Sequence, residues 1–200
     1  DEQIAHMQTT LRNMGAAGIP ILGYHWMPNS VWRTSNTTPG RGGAKVTSFD
    51  MSLVENAPLT HGRVYTAEEM WDAYAYYLNA LLPVAEEAGV KLALHPDDPP
   101  VPSLGGIARI FASFEGFKRA MDTFDSPYHG LNFCQGTISE MCDSPNQVYE
   151  AIRYFGGLKR AQSLFSTNTC PCGSSLGATS CPVDHQSHSY LPWLLPACHR

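Results

Sequence analysis

Charge is scarce in this chain, and basic charge is scarcer than acidic. Only 16% of its 200 residues are Asp, Glu, Lys or Arg, and 13 Lys and Arg against 18 Asp and Glu leave a formal net charge of -5. Nucleic acids and anionic membrane surfaces are held by basic patches, so this balance argues against both as partners. Long apolar runs are missing as well. None approaches the roughly 20 residues that a membrane-spanning helix needs. No charged-then-apolar leader pattern opens the chain. Asp1 begins what reads as the middle of an amphipathic helix, which gives the expectation of an amino-terminal fragment boundary. Cysteine is nearly absent from residues 1–160, where only Cys134 and Cys142 occur. That excludes a disulfide framework there and points to a reducing compartment, the cytoplasm.

Hydrophobic residues make up 43% of the chain, enough for one sizeable core in a single domain. Ile4, Met7, Leu11 and Met14 recur at helical spacing, and Gly15 and Gly18 are expected to stop that helix. Residues 19–24 read as a short strand. Residues 25–65 are rich in Gly, Pro, Ser, Thr and Asn, and a connection of that length is often an active-site loop. Thr66 and Glu69 form a capping box. The helix that follows carries a buried stripe of Met70, Tyr74, Tyr77, Leu78, Leu81 and Ala85, with a kink expected at Pro83 and an end at Gly89. An apolar strand runs to residue 94. Phe114, Phe117, Met121 and Phe124 mark a third helix, and a further strand leads into Cys134. Ser144, Pro145 and Gln147 predict a second capping box, opening a helix with Val148, Ile152 and Phe155 inward. Alternating helices and strands imply an α/β fold with a parallel sheet. Three strands are visible before residue 160. A closed barrel needs eight strands and roughly 250 residues, so the sheet is either open or part of a barrel.

The strand into residue 94 stops at His95, and two carboxylates and four prolines follow by Pro102. Proline cannot continue a central strand. His95 therefore stands at the carboxyl end of a buried strand, the edge where α/β proteins gather ligands and catalytic groups. The segment HGLNFCQG (129–136) repeats the design with Cys134. Alone, a strand-end histidine is more often a hydrogen-bonded structural group, and a lone cysteine a small buried hydrophobe. On neighbouring strands about 4.8 Å apart they could share one ion. Imidazole and thiolate suit zinc, iron and other first-row metals. Asp97 and Asp98 read equally as a solvated turn or as carboxylates that orient a ligand or touch substrate. Arg33, on the long loop, is usually a solvated type but beside a metal could clamp a substrate carboxylate. His25 and Trp26, at the end of the first strand, are candidates to line the same pocket.

The segments LALHPDDPP (92–100), GIARIF (106–111), DSPYHGLNFCQGTISEM (125–141) and EAIRYFG (150–156) closely resemble the mannonate dehydratase family, as does GYHWMPNSVWRTS (23–35). The resemblance runs over about residues 1–159. It implies a partial TIM (β/α) barrel of the xylose-isomerase-like kind. It implies a hydro-lyase that converts D-mannonate to 2-dehydro-3-deoxy-D-gluconate in hexuronate catabolism, with Mn2+ or Fe2+ as cofactor. It makes His95 and Cys134 two of the ion's ligands, with a second histidine and an aspartate later in the family's sequence. Arg33, His25, Asp97 and Asn132 are the substrate-contact candidates. The partner implied is a small sugar acid, and a homo-oligomer stays open. The C2 proton of a sugar acid is weakly acidic beside a carboxylate, so the reaction needs stabilisation of the developing negative charge, a base at C2 and an acid at the C3 hydroxyl.

From about residue 160 the sequence departs from that resemblance. No strand bearing the second histidine is evident, and residues 160–200 are expected to be an irregular, non-family tail rich in Ser, Pro and Cys, read as out-of-frame or misassembled. Cys170, Cys172, Cys181, His185, His188 and Cys198 lie there, at spacings poor for a structural zinc site. Two alternatives accompany the leading reading. One is another metal-dependent sugar isomerase or epimerase of the same barrel kind, disfavoured because those usually place glutamates at the strand ends. The other is an inactive fragment lacking the later ligands.

Overall fold

The computed structural model describes residues 1–157 and the backbone of residues 161–165. In chain order they form α1 (Glu2–Ala16), β1 (Ile21–Tyr24), β2 (Ser35–Pro39), β3 (Lys45–Ser48), α2 (Ala67–Ala88), β4 (Lys91–Leu94), β5 (Ser103–Leu104), β6 (Ile107–Ala108), α3 (Phe114–Thr123), β7 (His129–Cys134), α4 (Gln135–Met141), α5 (Pro145–Gly157) and β8 (Ala161–Phe165). The central sheet is parallel, in the order β1-β4-β7-β8. It is a mixed α/β fold, as the alternation of elements predicts. The sequence reading expects no strand after residue 160, and β8 corrects it. Ala161-Gln162-Ser163-Leu164-Phe165 shows neither strict alternation nor a continuous apolar run, and it pairs with β7 along Asn132–Ser163, Phe133–Leu164 and Cys134–Phe165. Ladder hydrogen bonding to an existing strand overrides weak local preference.

The helices form where their caps and apolar faces predict. At α2 the Thr66 hydroxyl accepts from the Glu69 amide at 3.3 Å while the Glu69 carboxylate accepts from the Thr66 amide at 2.9 Å. Gly89 closes the helix in the left-handed region at φ 69°. Between these ends α2 runs as one helix through Pro83. Gln147 does not complete the predicted box with Ser144. Its side-chain oxygen accepts instead from the Asp143 amide, at 2.7 Å. Gly15 does not stop α1 but lies inside it, where an added Cβ would stand 2.3 Å from the Ala88 carbonyl oxygen. The glycine lets the end of α1 rest on the end of α2.

Leu11 of α1 packs with Leu81, Val84 and Ala85 of α2 and with Leu92 of β4. The larger cluster joins Tyr74, Leu78, Leu94, Phe111, Phe117, Leu131, Phe133 and Phe155 between the sheet and α2, α3 and α5. One polar chain crosses this apolar layer. The His129 ring nitrogen Nδ1 lies 3.3 Å from the Phe124 carbonyl, which can only accept, so Nδ1 carries the proton. The bare Nε2 then accepts from the Tyr74 hydroxyl at 3.0 Å, and Tyr24 donates to Tyr74 at 2.9 Å. Burial, opposed by the Phe124 carbonyl, pushes the His129 pKa down to about 4 and keeps the ring neutral.

The long segment after β1 is partly ordered by its own contacts. β2 and β3 pair as an antiparallel hairpin, and β5 pairs with β6. Phe49, Val101 and Leu104 are buried together, with Trp32, Met51 and Val54 packed on them.

Two glycines of similar helical setting should respond oppositely to alanine. A Cβ on Gly116 would lie 2.0 Å from the Ile110 carbonyl oxygen, whereas nothing lies within 4 Å of one on Gly156. Gly116→Ala is expected to cost about 1–3 kcal/mol and Gly156→Ala to gain about 0.5–1 kcal/mol, both read from urea unfolding midpoints. His129 gives a pH prediction. The unfolded ring binds its proton near 6.5 and the folded ring only near 4, so the unfolded chain holds more protons between those values. The stability that neutral His129 contributes is complete above pH 6.5 and is lost as pH falls toward 4. Relative to His129→Gln, the wild-type chain should lose stability with a slope of up to about 1.4 kcal/mol per pH unit across that window.

Candidate functional site

The register of the sheet sets the candidate site. Tyr24 pairs with Leu94, and Leu94 with Leu131. The next residues on the three strands are His25, His95 and Asn132. Side chains alternate between faces along a strand, so these three share the face of Gly23, Ala93 and Gly130, which pair one level below. That lower row carries almost no side-chain volume. A Cβ on Gly23 would stand 3.7 Å from the Asn132 amide nitrogen, which places the Asn132 amide across β4. Cys134 follows two residues after Asn132, on the same face. The structure thus brings His95, Cys134, His25 and Asn132 to one edge, above a floor of small residues.

His95 and Cys134 lie close enough that each favours the other's charged form. Burial pushes the Cys134 thiol up, but hydrogen bonds from His95 and Thr137, with the His95 charge, outweigh it and hold the thiol at about 6. The Thr137 hydroxyl donates to Cys134 Sγ at 3.3 Å. Burial pulls the His95 pKa down, while Cys134, the Pro96 carbonyl and Asp98 raise it above its ordinary value. His95 Nδ1 lies 2.7 Å from the Pro96 carbonyl and must donate to it, which leaves Nε2 to face the thiol. Once Nε2 gives up its proton, a histidine fixed in this way by a backbone carbonyl presents one lone pair in a set direction, as metal-binding histidines usually do. The donor set, an imidazole nitrogen and a thiolate, fits a first-row divalent metal. Among the described residues no group of three or more His, Cys, Asp or Glu side chains converges. His95 and Cys134 would supply two donors to such an ion.

The remaining candidates separate. Arg33 lies beside the site but its fork is occupied: Nη1 donates to Asp98 Oδ1 at 2.8 Å and Nη2 to Oδ2 at 2.6 Å. That pairing holds the guanidinium pKa up, with help from the Glu140 charge. His25 sits at the exposed rim, its pKa lowered by partial burial and then by the charges of His95 and Arg109. Asp97 is turned inward. It is 0% exposed, its Oδ2 accepts from the Phe111 amide at 2.8 Å, and its own amide donates to the Phe111 carbonyl at 3.1 Å. It anchors the turn that carries His95. Burial pushes its carboxyl up to about 6, against the Phe111 amide and the charges of Arg109 and His95. Its effect on stability is opposite in sign to that of His129: complete below 3.8 and lost as pH rises through about 6. Trp26 packs edge-on against Tyr74 and tilted against Tyr77, at the helix layer.

Three residues near the site carry no sequence expectation: Thr137, Glu140 and Arg109. Thr137 has a weak signal, since a hydroxyl three residues beyond a strand-end cysteine returns to the sulfur once a helix begins there. Arg109 and Glu140 have none, because their partners lie far away in sequence.

The thiol provides a test free of any metal. Alkylation of Cys134 in metal-free protein, followed peptide by peptide by mass spectrometry, should titrate near pH 6, whereas Cys142, raised by burial and by Asp143 and Glu150, should react only in alkali. His95→Ala should move the Cys134 titration up toward 9. An unchanged titration in that variant refutes the pairing.

Comparison with known proteins bears on the same residues. A model of the D-mannonate dehydratase family matches residues 1–62 and 59–169. That match reaches ten residues beyond the 159 at which the sequence resemblance ends, and it includes β8. Mannonate dehydratase 2 of Halalkalibacterium halodurans is 30% identical over 192 residues, covering 84% of this chain and 55% of its own length. The mannonate dehydratase of Streptococcus pneumoniae is 32% identical over 190 residues, covering 82% of this chain and 50% of its own. The crystal structure of mannonate dehydratase from Streptococcus suis serotype2 superposes with a TM-score of 0.71 at 32% identity, covering 80% of this chain and 47% of that one. The chain spans about half the length of these relatives. A family match over most of the described residues, with the strand-end pair inside it, has one reading: the chain belongs to the D-mannonate dehydratase family.

Proposed function

We propose that this chain serves the dehydration of D-mannonate to 2-dehydro-3-deoxy-D-gluconate in hexuronate breakdown, a hydro-lyase reaction, and that His95 and Cys134 hold the divalent ion it needs. The parallel sheet β1-β4-β7-β8 is then one part of a (β/α) barrel of the xylose-isomerase-like kind. The observation that carries the reading is the His95–Cys134 pair at the carboxyl edge of neighbouring parallel strands. Mn2+ or Fe2+ suits it, since both accept imidazole and thiolate. When bound, the ion supplies a Lewis acid that stabilises charge developing on the substrate. The chain's own residues do the rest that is visible. The Gly23, Ala93 and Gly130 floor leaves room for a polyhydroxylated chain, with His25 and Asn132 beside it to bind hydroxyls. Arg33 binds the substrate carboxylate after exchanging Asp98 for it, a like-for-like trade of one carboxylate for another. The low cysteine content of residues 1–160 supports a cytoplasmic setting.

A second reading has one observation in its favour. The described residues provide two converging ligand side chains and no third. On that reading the chain holds a metal weakly and turns nothing over. Incubating the purified 200-residue protein with D-mannonate and Mn2+ separates the two. Formation of 2-keto acid, at least 100-fold reduced in Cys134→Ala and His95→Ala, is the expected result, by analogy with the usual cost of losing a metal or its ligand-holding contacts. Bound manganese without any keto acid establishes the second reading. No manganese on the wild-type protein rejects both.

A further inference from the structure

We infer that Arg109 is the positioning residue that aims the His95 imidazole, by tying the turn after β4 to the loop after β1. The inference rests on the reading of His95 as a metal ligand. Arg109 follows β6 and is only 6% exposed. Its guanidinium makes three bonds to two distant stretches. Nη1 donates to the Asp98 carbonyl at 3.3 Å, and Nη2 to Asn29 Oδ1 at 3.2 Å and the Ser30 carbonyl at 2.8 Å. The Arg109 amide is itself fixed, donating to the Pro102 carbonyl at 2.9 Å.

Each of those acceptors sits in a chain of contacts that leads to the site. The Asp98 carbonyl belongs to the turn whose Pro96 carbonyl takes the His95 Nδ1 proton. Asp97 pins one side of that turn to Phe111. Arg109 pins the other. With both anchors in place the Pro96 carbonyl has one position, and so has the ring. On the other stretch, Ser30 is the one non-glycine among the described residues with a positive φ, 65°. Such a conformation persists only where surrounding contacts impose it. Its carbonyl is the closest of Arg109's acceptors. Asn29 continues the tie, its Nδ2 donating to the Leu104 carbonyl at 2.8 Å.

Packing alone does not call for an arginine here. A guanidinium taken out of water is destabilising unless its partners are well placed, and an apolar side chain of like volume is often as stable. Arg109 Nε is buried without a partner among the described residues, and Asp97 Oδ1 likewise. What arginine alone supplies is a rigid planar fork that fixes three oxygens at once. Lysine carries the charge without the fork.

The test uses the full 200-residue chain and reads the ring directly. In 15N–1H spectra the wild-type protein should show a protected His95 Nδ1–H resonance, assigned by its loss in His95→Ala. In Arg109→Met that resonance should exchange with water and vanish, and Co2+, followed by its thiolate charge-transfer absorption, should bind 10- to 100-fold more weakly. Arg109→Lys should behave like Arg109→Met, because charge without the fork does not hold the turn; it also serves if the methionine variant does not fold. A folded variant of either kind that keeps the protected resonance and the wild-type cobalt affinity overturns the inference, as does full rescue by lysine. A general loss of stability would lower the unfolding temperature but leave the resonance intact in the folded protein. If the wild-type chain takes up no cobalt, the metal reading of His95 fails, and the Nδ1–H resonance still decides whether Arg109 positions the ring.

Discussion

The placement of β4 between β1 and β7, parallel and in register, is the constraint on which both core and site depend. Leu92 and Leu94 are buried against the helices only when Ala93 and His95 face the other way. A slip of one residue would turn His95 into the helix layer and set Leu94 on the open face. The apolar energy that fixes the register is therefore the same energy that places His95 and Cys134 at one edge. At about 25 cal/mol per Å2 of buried apolar surface, two leucines and their neighbours outweigh anything that the site residues contribute to folding. The His95–Cys134 pair is carried by a register that other residues enforce.

The polar chain through the core serves that register. Tyr24 stands on β1 and His129 on β7, the two neighbours of β4, and both meet Tyr74 of α2. A slip of either strand would leave a tyrosine hydroxyl or a ring nitrogen buried without its partner, at a cost of about 1–3 kcal/mol each. The surrounding rings leave little room for adjustment: Tyr74 has edge contacts with Trp71, Phe111 and Phe124. An apolar core is tolerant of sliding. A core that contains one ordered donor chain is less so.

How far the sequence reads correctly follows from the range of the forces involved. Helix α2 is legible because its signals are local: Thr66 and Glu69 lie within one turn, and the buried stripe repeats at helical spacing. The strand-end positions of His95 and Cys134 are legible because an apolar run stops at each, before Pro96 in one case and before Gln135 and Gly136 in the other. Most of the departures involve distant partners. Asp97 reads as a solvated turn or a substrate contact, yet it is buried by Phe111, fourteen residues away in the chain. Arg33 reads as a solvated arginine or, beside a metal, a carboxylate clamp, and its fork meets Asp98 across 65 residues, a partner that sequence spacing does not reveal. β8 is illegible because its pairing with β7, not its own composition, makes it a strand. Gly15 reads as a helix stop, whereas its role is to admit the Ala88 carbonyl. Residues 166–200, with the tail's cysteines and histidines, lie outside the described residues.

A connection as long as residues 25–65 would contribute little to a site if it were loose, since binding groups on loops depend on a rigid support. Here the support is local. The hairpin of β2 and β3 is closed by Thr34, whose amide donates to the Ser48 carbonyl at 2.8 Å, and a small core of Phe49, Val101 and Leu104 lies beneath it. At the far side the turn between β5 and β6 passes so close to Leu59 and Thr60 that a Cβ on Gly105 or Gly106 would stand 2.7 Å or 2.6 Å from their side chains, and both glycines have positive φ. The segment thus shares a small core with the chain after β4 and makes close contacts of its own. The strand ends are set by sheet register, and the platform by this lesser core. Neither determines the other, so the position of Arg33 relative to His95 must come from whatever joins them. Two charged contacts do so: Asp98 receives the fork of Arg33, and Arg109 holds the Asp98 carbonyl together with Asn29 and Ser30. Asp98 thus meets a guanidinium from each side, Arg33 at its carboxylate and the buried Arg109 at its carbonyl, and these bonds tie the long segment to the turn that follows His95.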